Sequence, residues 1–235
     1  MRRLEKGPEP EVLVESKERW TAEYHARLAG HPEAPAVVAT RYNHPKIKAA
    51  VRRETHDKCA YCERKISHTQ PGDIEHILPK SRFPGLVCEW HNMTFACRTC
   101  NQCKGDYHDP DAPMVDPYRE EPRRFLRAFG PMVDGDDPQG RGMLTVRRCR
   151  LNRSDLLEWR AEVVVKLQPL VEMWKGEDEG GRKETLEQEL LRFADERAEY
   201  TLITRAYLQS HGIQIDPEPE GELVSEGTAS STDAE

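Results

Sequence analysis

Two C-x2-C pairs constrain the fold of this chain more than any other feature of its sequence. Cys59 and Cys62 form the first pair, Cys97 and Cys100 form the second, and 34 residues separate the two pairs. Each pair can present two sulfurs to one ion, and four thiolates complete the tetrahedron of a closed structural Zn²⁺ site. The long intervening loop adds little closure entropy. We therefore predict a structural zinc site, whose binding energy helps a short segment with little core to fold.

The number of cysteines favours a metal site over a disulfide framework. The chain has seven cysteines, an odd number, and its first residues show no signal peptide. Two unrelated buried pairs, or one redox-active pair, would also explain the spacing. Cys103 lies three residues after Cys100 and competes as a ligand, but we prefer Cys97 and Cys100 because that pair mirrors the first. Cys88 and Cys149 are expected to be ordinary buried side chains.

The net charge of −7 conceals an uneven distribution along the chain. Residues 216–235 hold seven acidic and no basic residues, whereas residues 44–105 hold eleven Lys or Arg against six Asp or Glu. Because a partner responds to the local field, the middle of the chain is compatible with nucleic acid, although a solvated surface of mixed charge fits equally well. The acidic tail is rich in Pro, Gly, Ser and Thr, and we expect it to be disordered.

No segment approaches the roughly 20 consecutive apolar residues that a membrane-spanning helix needs. The first residues, MRRLEKGPEPE, lack the apolar stretch of a secretory signal. We therefore expect a cytoplasmic protein with no membrane partner. Since 37% of residues are hydrophobic and 33% are charged, amphipathic helices are favoured over a thick core.

Hydrophobic periodicity predicts helices on both sides of the cysteine-rich segment. The expected elements are helices over Pro10–Leu28 and Pro45–Thr55, a strand over Gly142–Cys149, a long helix capped by Asn152 or Ser154 that breaks over Gly176–Gly181, and a final helix over Lys183–Gln209. This pattern divides the chain into a helical region at residues 1–56, a metal module at 57–108, a mostly helical region at 109–215 and the tail at 216–235. The flanking helices are either a scaffold for the module, which we favour, or a docking surface for a partner.

The segment around the cysteine pairs carries the residue types that phosphodiester hydrolysis requires. Residues 73–81 read DIEHILPKS, and Asn101 directly follows Cys100. Hydrolysis needs a base to deprotonate water and a divalent ion to neutralise the phosphate. Histidine suits the base because its pKa lies near neutrality, and Mg²⁺ prefers carboxylate and amide oxygens. His76, Glu75 and Asn101 supply these groups.

The predicted zinc site brings these residues near one another. Asn101 is covalently attached to a zinc ligand, and Glu75 and His76 lie in the loop that the zinc closes. On a regular strand, however, neighbouring side chains point to opposite faces. Both can serve one site only where the strand kinks or ends, and Pro79 makes an ending plausible.

The motifs C-x2-C-E, I-E-H-I-x-P-K-S, W-x-N and A-C-x2-C-N-x2-K-G resemble the signature of HNH endonucleases, over about 50 residues. The resemblance implies an α+β fold, with a ββα-metal module and a four-cysteine zinc site embedded in flanking helices. It also implies that Glu75 and Asn101 bind the catalytic metal, that His76 is the general base, and that Asn92 holds the hairpin loop through backbone hydrogen bonds. Asn101 stands where the family has its final His, and Glu75 stands where the family more frequently has Asp. Mg²⁺ is the favoured ion.

Basic residues near these motifs are candidates for contact with nucleic acid. They are Lys80, Arg82, Arg98 and Lys104. Each is either a phosphate contact or part of a solvated surface, and the sequence does not decide between the two.

A wider resemblance continues beyond the module. Asp116-Pro-Tyr, Gly142-x2-Thr145-Val, Leu151-Asn-Arg153 and Arg160 are similar to the C-terminal half of HNH subunits in Septu-type and retron-associated antiphage systems. In Septu, the nuclease pairs with an ABC-type ATPase, so the resemblance implies that the flanking helices dock on such a partner and that cleavage is regulated. DNA is the favoured substrate, and RNA is possible.

Two other functions remain compatible with the sequence. A non-catalytic zinc module that binds nucleic acid or protein explains the cysteines equally well, but has no need for Glu75, His76 and Asn101. A stand-alone, restriction-like HNH nuclease has the same chemistry without an ATPase.

Overall fold

The computed structural model of the protein describes residues 1–31, 36–66 and 72–215. Within these ranges the α-helices are α1 (Glu11–Leu28), α2 (Pro45–Glu54), α3 (Arg98–Lys104), α4 (Arg141–Arg148), α5 (Ser154–Gly176), α6 (Gly181–Arg192) and α7 (Thr201–Ser210). The strands are β1 (Asp73–His76), β2 (Met93–Ala96), β3 (Leu126–Phe129) and β4 (Met132–Gly135). Short 3₁₀ helices span Ala36–Asn43, Pro84–Leu86, Trp90–Asn92 and Pro122–Arg124. The α+β class predicted from the sequence is confirmed.

The hairpin β1–β2 and the helix α3 form the predicted ββα unit. The two strands pair antiparallel, with Asp73 opposite Ala96 and His76 opposite Met93. Only one residue, Cys97, separates β2 from α3, and its sulfur accepts a hydrogen bond from the backbone amide of Cys100. The helix start is therefore defined by the same residue that begins the second cysteine pair.

One hydrophobic core joins this unit to the helices before and after it. The helices predicted near Pro10–Leu28 and Pro45–Thr55 are confirmed, and each buries an apolar stripe. Their core side chains include Leu13, Ile47 and Val51, which belong to one cluster with Trp90, Phe95, Leu126 and Leu156. Burying each such side chain contributes about 1.5–3 kcal/mol. The core thus includes residues from three of the predicted regions, whose boundaries stay a prediction.

The predicted strand over Gly142–Cys149 is wrong, because Arg141–Arg148 form α4. The buried positions are Gly142, Thr145, Val146 and Cys149, and this spacing of three and four residues is helical. Gly142 permits the close approach of α4 to the preceding chain. A Cβ there would lie 1.8 Å from the carbonyl oxygen of Phe125, a distance no side chain tolerates.

The predicted final helix over Lys183–Gln209 is also wrong as a single element, since it is divided into α6 and α7. Tyr200, directly before α7, has a positive φ of 56°, which a continuous helix does not contain. The Thr204 hydroxyl of α7 donates to the carbonyl of Phe193, directly after α6, at 2.7 Å and so links the two helices. The long helix from Ser154 is confirmed, and with α6 and α7 it encloses a second cluster that includes Leu167, Leu190 and Leu208.

In the described part of the chain, no helix combines the length and the apolar character needed to cross a membrane. The acidic tail predicted to be disordered, residues 216–235, lies outside the described residues.

Candidate metal centre and active site

The four cysteines of the two pairs meet in the interior. The sulfurs of Cys59, Cys62, Cys97 and Cys100 all lie within 4.8 Å of one another, and all four residues are buried. A tetrahedral Zn²⁺ with Zn–S bonds of about 2.3 Å places its sulfurs about 3.8 Å apart. The sulfurs of Cys62 and Cys97 are 3.9 Å apart. The donor set and its spacing therefore fit a closed four-thiolate metal site, and its four cysteines are those singled out from the sequence.

Local backbone structure explains how the first pair reaches the second. Between Lys58 and Lys65 the chain makes a tight turn, in which Glu63 adopts a left-handed φ of 64°. The backbone amide of Ala60 donates to the carbonyl of Phe95 on β2 at 2.9 Å, which places the turn beside the second pair. Cys103 lies outside the cluster.

Arg153, at the start of α5, faces the sulfur cluster. Its guanidinium lies 3.5 Å from the sulfur of Cys100 and 3.9 Å from the sulfurs of Cys62 and Cys97. Burial acts to lower the pKa of Arg153, but the neighbouring cysteine thiolates raise it above its ordinary value. Four thiolates around Zn²⁺ carry a net charge of about −2. At such a site Arg153 would supply a compensating charge, a role that its place in the Leu151-Asn-Arg153 motif does not predict.

Glu75 and Lys104 form a buried ion pair between β1 and α3. Glu75 Oε1 lies 2.6 Å from Lys104 Nζ, and the two residues are 5% and 4% exposed. Lys104 Nζ also donates to the carbonyl oxygen of His76 at 2.8 Å. Burial raises the pKa of Glu75 above its ordinary value, and the charge of Lys104 opposes that rise. The predicted phosphate contact Lys104 thus directs its ammonium into the module, where it is the counter-ion of Glu75.

Asp73 and Asn101 form a second contact on the same side of the hairpin. Asp73 lies two residues before Glu75, so the pleat places both carboxylates on the face of β1 that α3 covers. Asn101 Nδ2 donates to Asp73 Oδ2 at 3.0 Å. Three oxygen-bearing side chains that suit a hard divalent ion therefore line the space between β1 and α3. Asp73 was not among the predicted site residues, although its two-residue spacing from Glu75 is the signal that would have identified it.

His76 lies on the other face of β1. Its Nε2 is 2.9 Å from the carbonyl oxygen of Val87, and its ring meets that of Tyr42 edge to face at 4.7 Å. Because a carbonyl only accepts, Nε2 carries the proton and Nδ1 is the basic nitrogen of the neutral ring. Burial lowers the pKa of His76 to about 4. The ring is therefore neutral at physiological pH, as a general base must be.

Asn92 connects the ends of the loop between the two strands. Its Oδ1 accepts from the backbone amide of Leu78 at 2.7 Å, and its Nδ2 donates to the carbonyls of Leu78 and Leu86 at 3.0 and 3.2 Å. These contacts are the backbone hydrogen bonds that the family resemblance implies for this residue, and they hold the chain that follows His76.

The other basic candidates lie nearer the surface. Arg82 and Arg98 are exposed, and Arg82 donates to the carbonyl of His108 at 2.6 Å. Lys80 is half-buried, with its ammonium 5.3 Å from the centre of the Tyr42 ring. Their contact with nucleic acid stays a prediction.

A cleft of about 420 Å³ lies beside the ion pair. Its lining includes Lys104 together with Tyr61, Leu78, Tyr107 and Arg119. Lys104 is therefore the member of the ion pair that lines this cleft.

Comparison with known proteins agrees with this geometry. Residues 59–107 match the family model of HNH endonucleases. The chain is 32% identical over 114 residues to Septu protein PtuB of Bacillus thuringiensis, covering 48% of this chain and 44% of that protein. It is 22% identical over 153 residues to Septu protein PtuB of Bacillus mycoides (strain KBAB4), covering 52% of each. The chain thus spans about half the length of the curated relatives it matches, and the resemblance to HNH endonucleases and Septu proteins is confirmed.

Proposed function

We propose that this protein is a metal-dependent HNH endonuclease that hydrolyses phosphodiester bonds in nucleic acid, with DNA as the favoured substrate. One observation supports this proposal above the others. The ββα unit that carries the four-cysteine cluster also contains a neutral, buried His76, the carboxylates of Asp73 and Glu75, and the amide of Asn101. A module that only binds nucleic acid has no need for this set.

Each residue has a defined part in the proposed reaction. Glu75 and Asn101 hold a divalent ion, Mg²⁺ being favoured, through their side-chain oxygens. Such an ion, when bound, neutralises the charge that develops on the phosphate and on the leaving oxygen. His76 accepts a proton from the attacking water through Nδ1, while its Nε2–H remains bonded to the carbonyl of Val87. Asn92 keeps the chain after His76 in position.

The opposite orientation of Glu75 and His76 limits where the phosphate can lie. Strand β1 ends at His76, so a phosphate placed at the end of the strand can approach both faces. We propose that Lys80 and Arg82, a few residues further on, attract the phosphate backbone there.

The four cysteines are proposed to bind structural Zn²⁺, with Arg153 balancing the charge of the thiolates. Zinc would then join the turn before β1 to α3 and so fix Asn101, the residue that follows Cys100. This role is structural, because four protein ligands leave no position for substrate.

The similarity to Septu proteins suggests a biological setting. We propose that the protein is the nuclease of a Septu-like antiphage system in the cytoplasm and acts with an ABC-type ATPase. Purification of the chain expressed together with its neighbouring genes tests this setting. Recovery of an ATPase in a stoichiometric complex supports it, whereas recovery of the chain alone favours a stand-alone nuclease.

The nuclease activity is tested by plasmid cleavage with Mg²⁺, using protein purified with any partner it retains. We compare wild type with His76→Ala and, as a matched control, with His91→Ala, which changes an exposed histidine of the same module. The proposal expects nicking by wild type and His91→Ala and a loss of at least about 100-fold in His76→Ala. Zinc content and circular dichroism verify that each variant is folded. Equal cleavage by all three, or binding of DNA without any cleavage, contradicts it.

A further inference from the structure

We propose that Asp73 is a positioning residue that orients the amide of Asn101, so that its oxygen and not its nitrogen faces the divalent ion. This inference rests on the proposed function, because it assigns a role at the same metal site. It adds a residue that neither the family motif nor the sequence analysis singled out.

The chemistry of the two groups fixes the orientation. An ionised carboxylate only accepts hydrogen bonds, so it can pair with the NH₂ end of an amide and not with the C=O end. Asn101 Nδ2 lies 3.0 Å from Asp73 Oδ2. Oδ1 of Asn101 must therefore point away from Asp73, and its lone pairs are presented on the other side of the amide.

The fold places the pair where such control matters. Asp73 begins β1 and Asn101 lies in α3, one turn before Lys104. The strand and the helix face each other through two contacts, Asp73 with Asn101 and Glu75 with Lys104. The amide that Asp73 orients is thus on the side of α3 that also faces Glu75, the other proposed metal ligand.

An asparagine ligand needs this control more than a histidine or an aspartate does. The two ends of an amide have almost the same shape, and an unconstrained amide can present either end. The oxygen end attracts a cation, whereas the NH₂ end repels it. Partners that orient a metal ligand typically change metal affinity about 10- to 100-fold when they are removed. Since Asn101 stands where the family's final His is expected, Asp73 compensates for an ambiguity that the substitution introduces.

Titration calorimetry of the zinc-loaded protein, without substrate, measures the binding of Mn²⁺. Asp73→Leu removes the acceptor, while Asp73→Asn removes the charge but keeps an oxygen that can accept from Asn101. Asp106→Asn, an exposed position just after α3, controls for the loss of one negative charge. Zinc content and circular dichroism are measured for every variant.

We expect Asp73→Leu to weaken Mn²⁺ binding about 10-fold or more, because the amide of Asn101 loses its acceptor. Asp73→Asn should weaken Mn²⁺ binding clearly less. Asp106→Asn should bind Mn²⁺ like wild type.

Other outcomes overturn the proposal in distinguishable ways. Equal weakening by Asp73→Asn and Asp73→Leu identifies Asp73 as a direct ligand or a remote charge. Wild-type affinity in Asp73→Leu contradicts the inference alone, provided that Glu75→Gln still weakens binding. If Glu75→Gln also binds like wild type, both the inference and the proposed metal site fail.

Discussion

Replacing Lys104 by Met tests whether the site between β1 and α3 depends on a compensating cation. The two side chains of the Glu75–Lys104 pair are 6% and 3% exposed, so water cannot replace the ammonium group. Met fills much of the volume of the lysine stem but carries no charge. The variant therefore leaves the carboxylate of Glu75 buried without a counter-ion.

The size of the effect follows from the geometry. At 2.6 Å the attraction between the two charges is about 6 kcal/mol for an effective dielectric constant of about 20. Desolvation of both ions offsets several kcal/mol of this, but removing one partner of a buried pair costs about 3–5 kcal/mol. Because Met retains much of the packing, we expect the free energy of unfolding to fall by about 3 kcal/mol.

The effect should also depend on pH. Burial already raises the pKa of Glu75 in the folded protein, and loss of Lys104 removes a group that opposes the rise. A carboxyl with a raised folded-state pKa binds a proton more tightly in the folded than in the unfolded protein, so its destabilising effect grows as pH rises. The free energy of unfolding of Lys104→Met should therefore fall further below that of wild type at neutral pH than at mildly acidic pH.

Urea unfolding of the zinc-loaded protein, without other divalent ions, measures these effects. Lys46→Met, at an exposed position in the first turn of α2, is the control and should lie within about 0.5 kcal/mol of wild type. The double variant Glu75→Gln/Lys104→Met should be more stable than Lys104→Met, since no buried charge remains. Mn²⁺ should stabilise Lys104→Met more than wild type if the ion replaces the ammonium. A stability of Lys104→Met equal to that of the control, or no recovery in the double variant, refutes the reasoning.

Three further predictions concern neighbouring groups. Without divalent ions, His76 has a pKa of about 4 in the folded protein. Between that pH and the ordinary pKa of histidine, the unfolded chain binds a proton at His76 and the folded protein does not. Stability should therefore fall by up to about 3 kcal/mol as pH drops from about 6.5 toward 4, and acid titration of unfolding in His76→Gln should lack this component. Asn92→Ala removes three hydrogen bonds and should lower stability in urea by about 2–3 kcal/mol, whereas an unchanged midpoint contradicts its structural role. Arg153→Met removes the cation beside the thiolates and should speed zinc loss to a chelator, measured with a chromogenic zinc indicator; loss at the wild-type rate argues against charge compensation.

The parts of the fold that the sequence predicts are those whose signal is local. The cysteine pairs and the helices near Glu11–Leu28 and Pro45–Glu54 follow from spacing and periodicity over short segments, whereas the order strand–strand–helix follows from the family resemblance. Arg141–Arg148 form α4 and not the predicted strand, because the buried positions of this segment are three and four residues apart and the segment is too short for its sequence to show that period clearly. The interruption between α6 and α7 ends in a left-handed Tyr200, a backbone conformation that hydrophobic periodicity does not predict.

The candidate site shows the same division. The residue types alone identify His76, Glu75 and Asn101 as candidate site residues. They do not identify the side chains that form hydrogen bonds or ion pairs with these three. The partners Asp73 and Lys104 become visible only when β1 lies against α3. A pairing between a strand and a helix about 28 residues apart depends on tertiary packing, and one sequence carries no direct measure of that.

Residues outside the family-matched segment 59–107 support the hairpin through hydrogen bonds. Lys6 donates to the carbonyl of Met93 on β2 at 2.6 Å, and Trp90 donates to the carbonyl of Gly7 at 2.8 Å. These bonds attach the hairpin to the chain that precedes α1.

The following chain contributes in the same way. The Tyr118 hydroxyl contacts that of Thr94 on β2 at 3.0 Å and donates to Glu54 on α2 at 3.0 Å, while Arg153 faces the sulfur of Cys100. A segment of about 50 residues buries too little surface to be stable alone, and these contacts supply what a metal ion does not. The flanking helices are therefore a scaffold for the site whether or not they also dock on a partner.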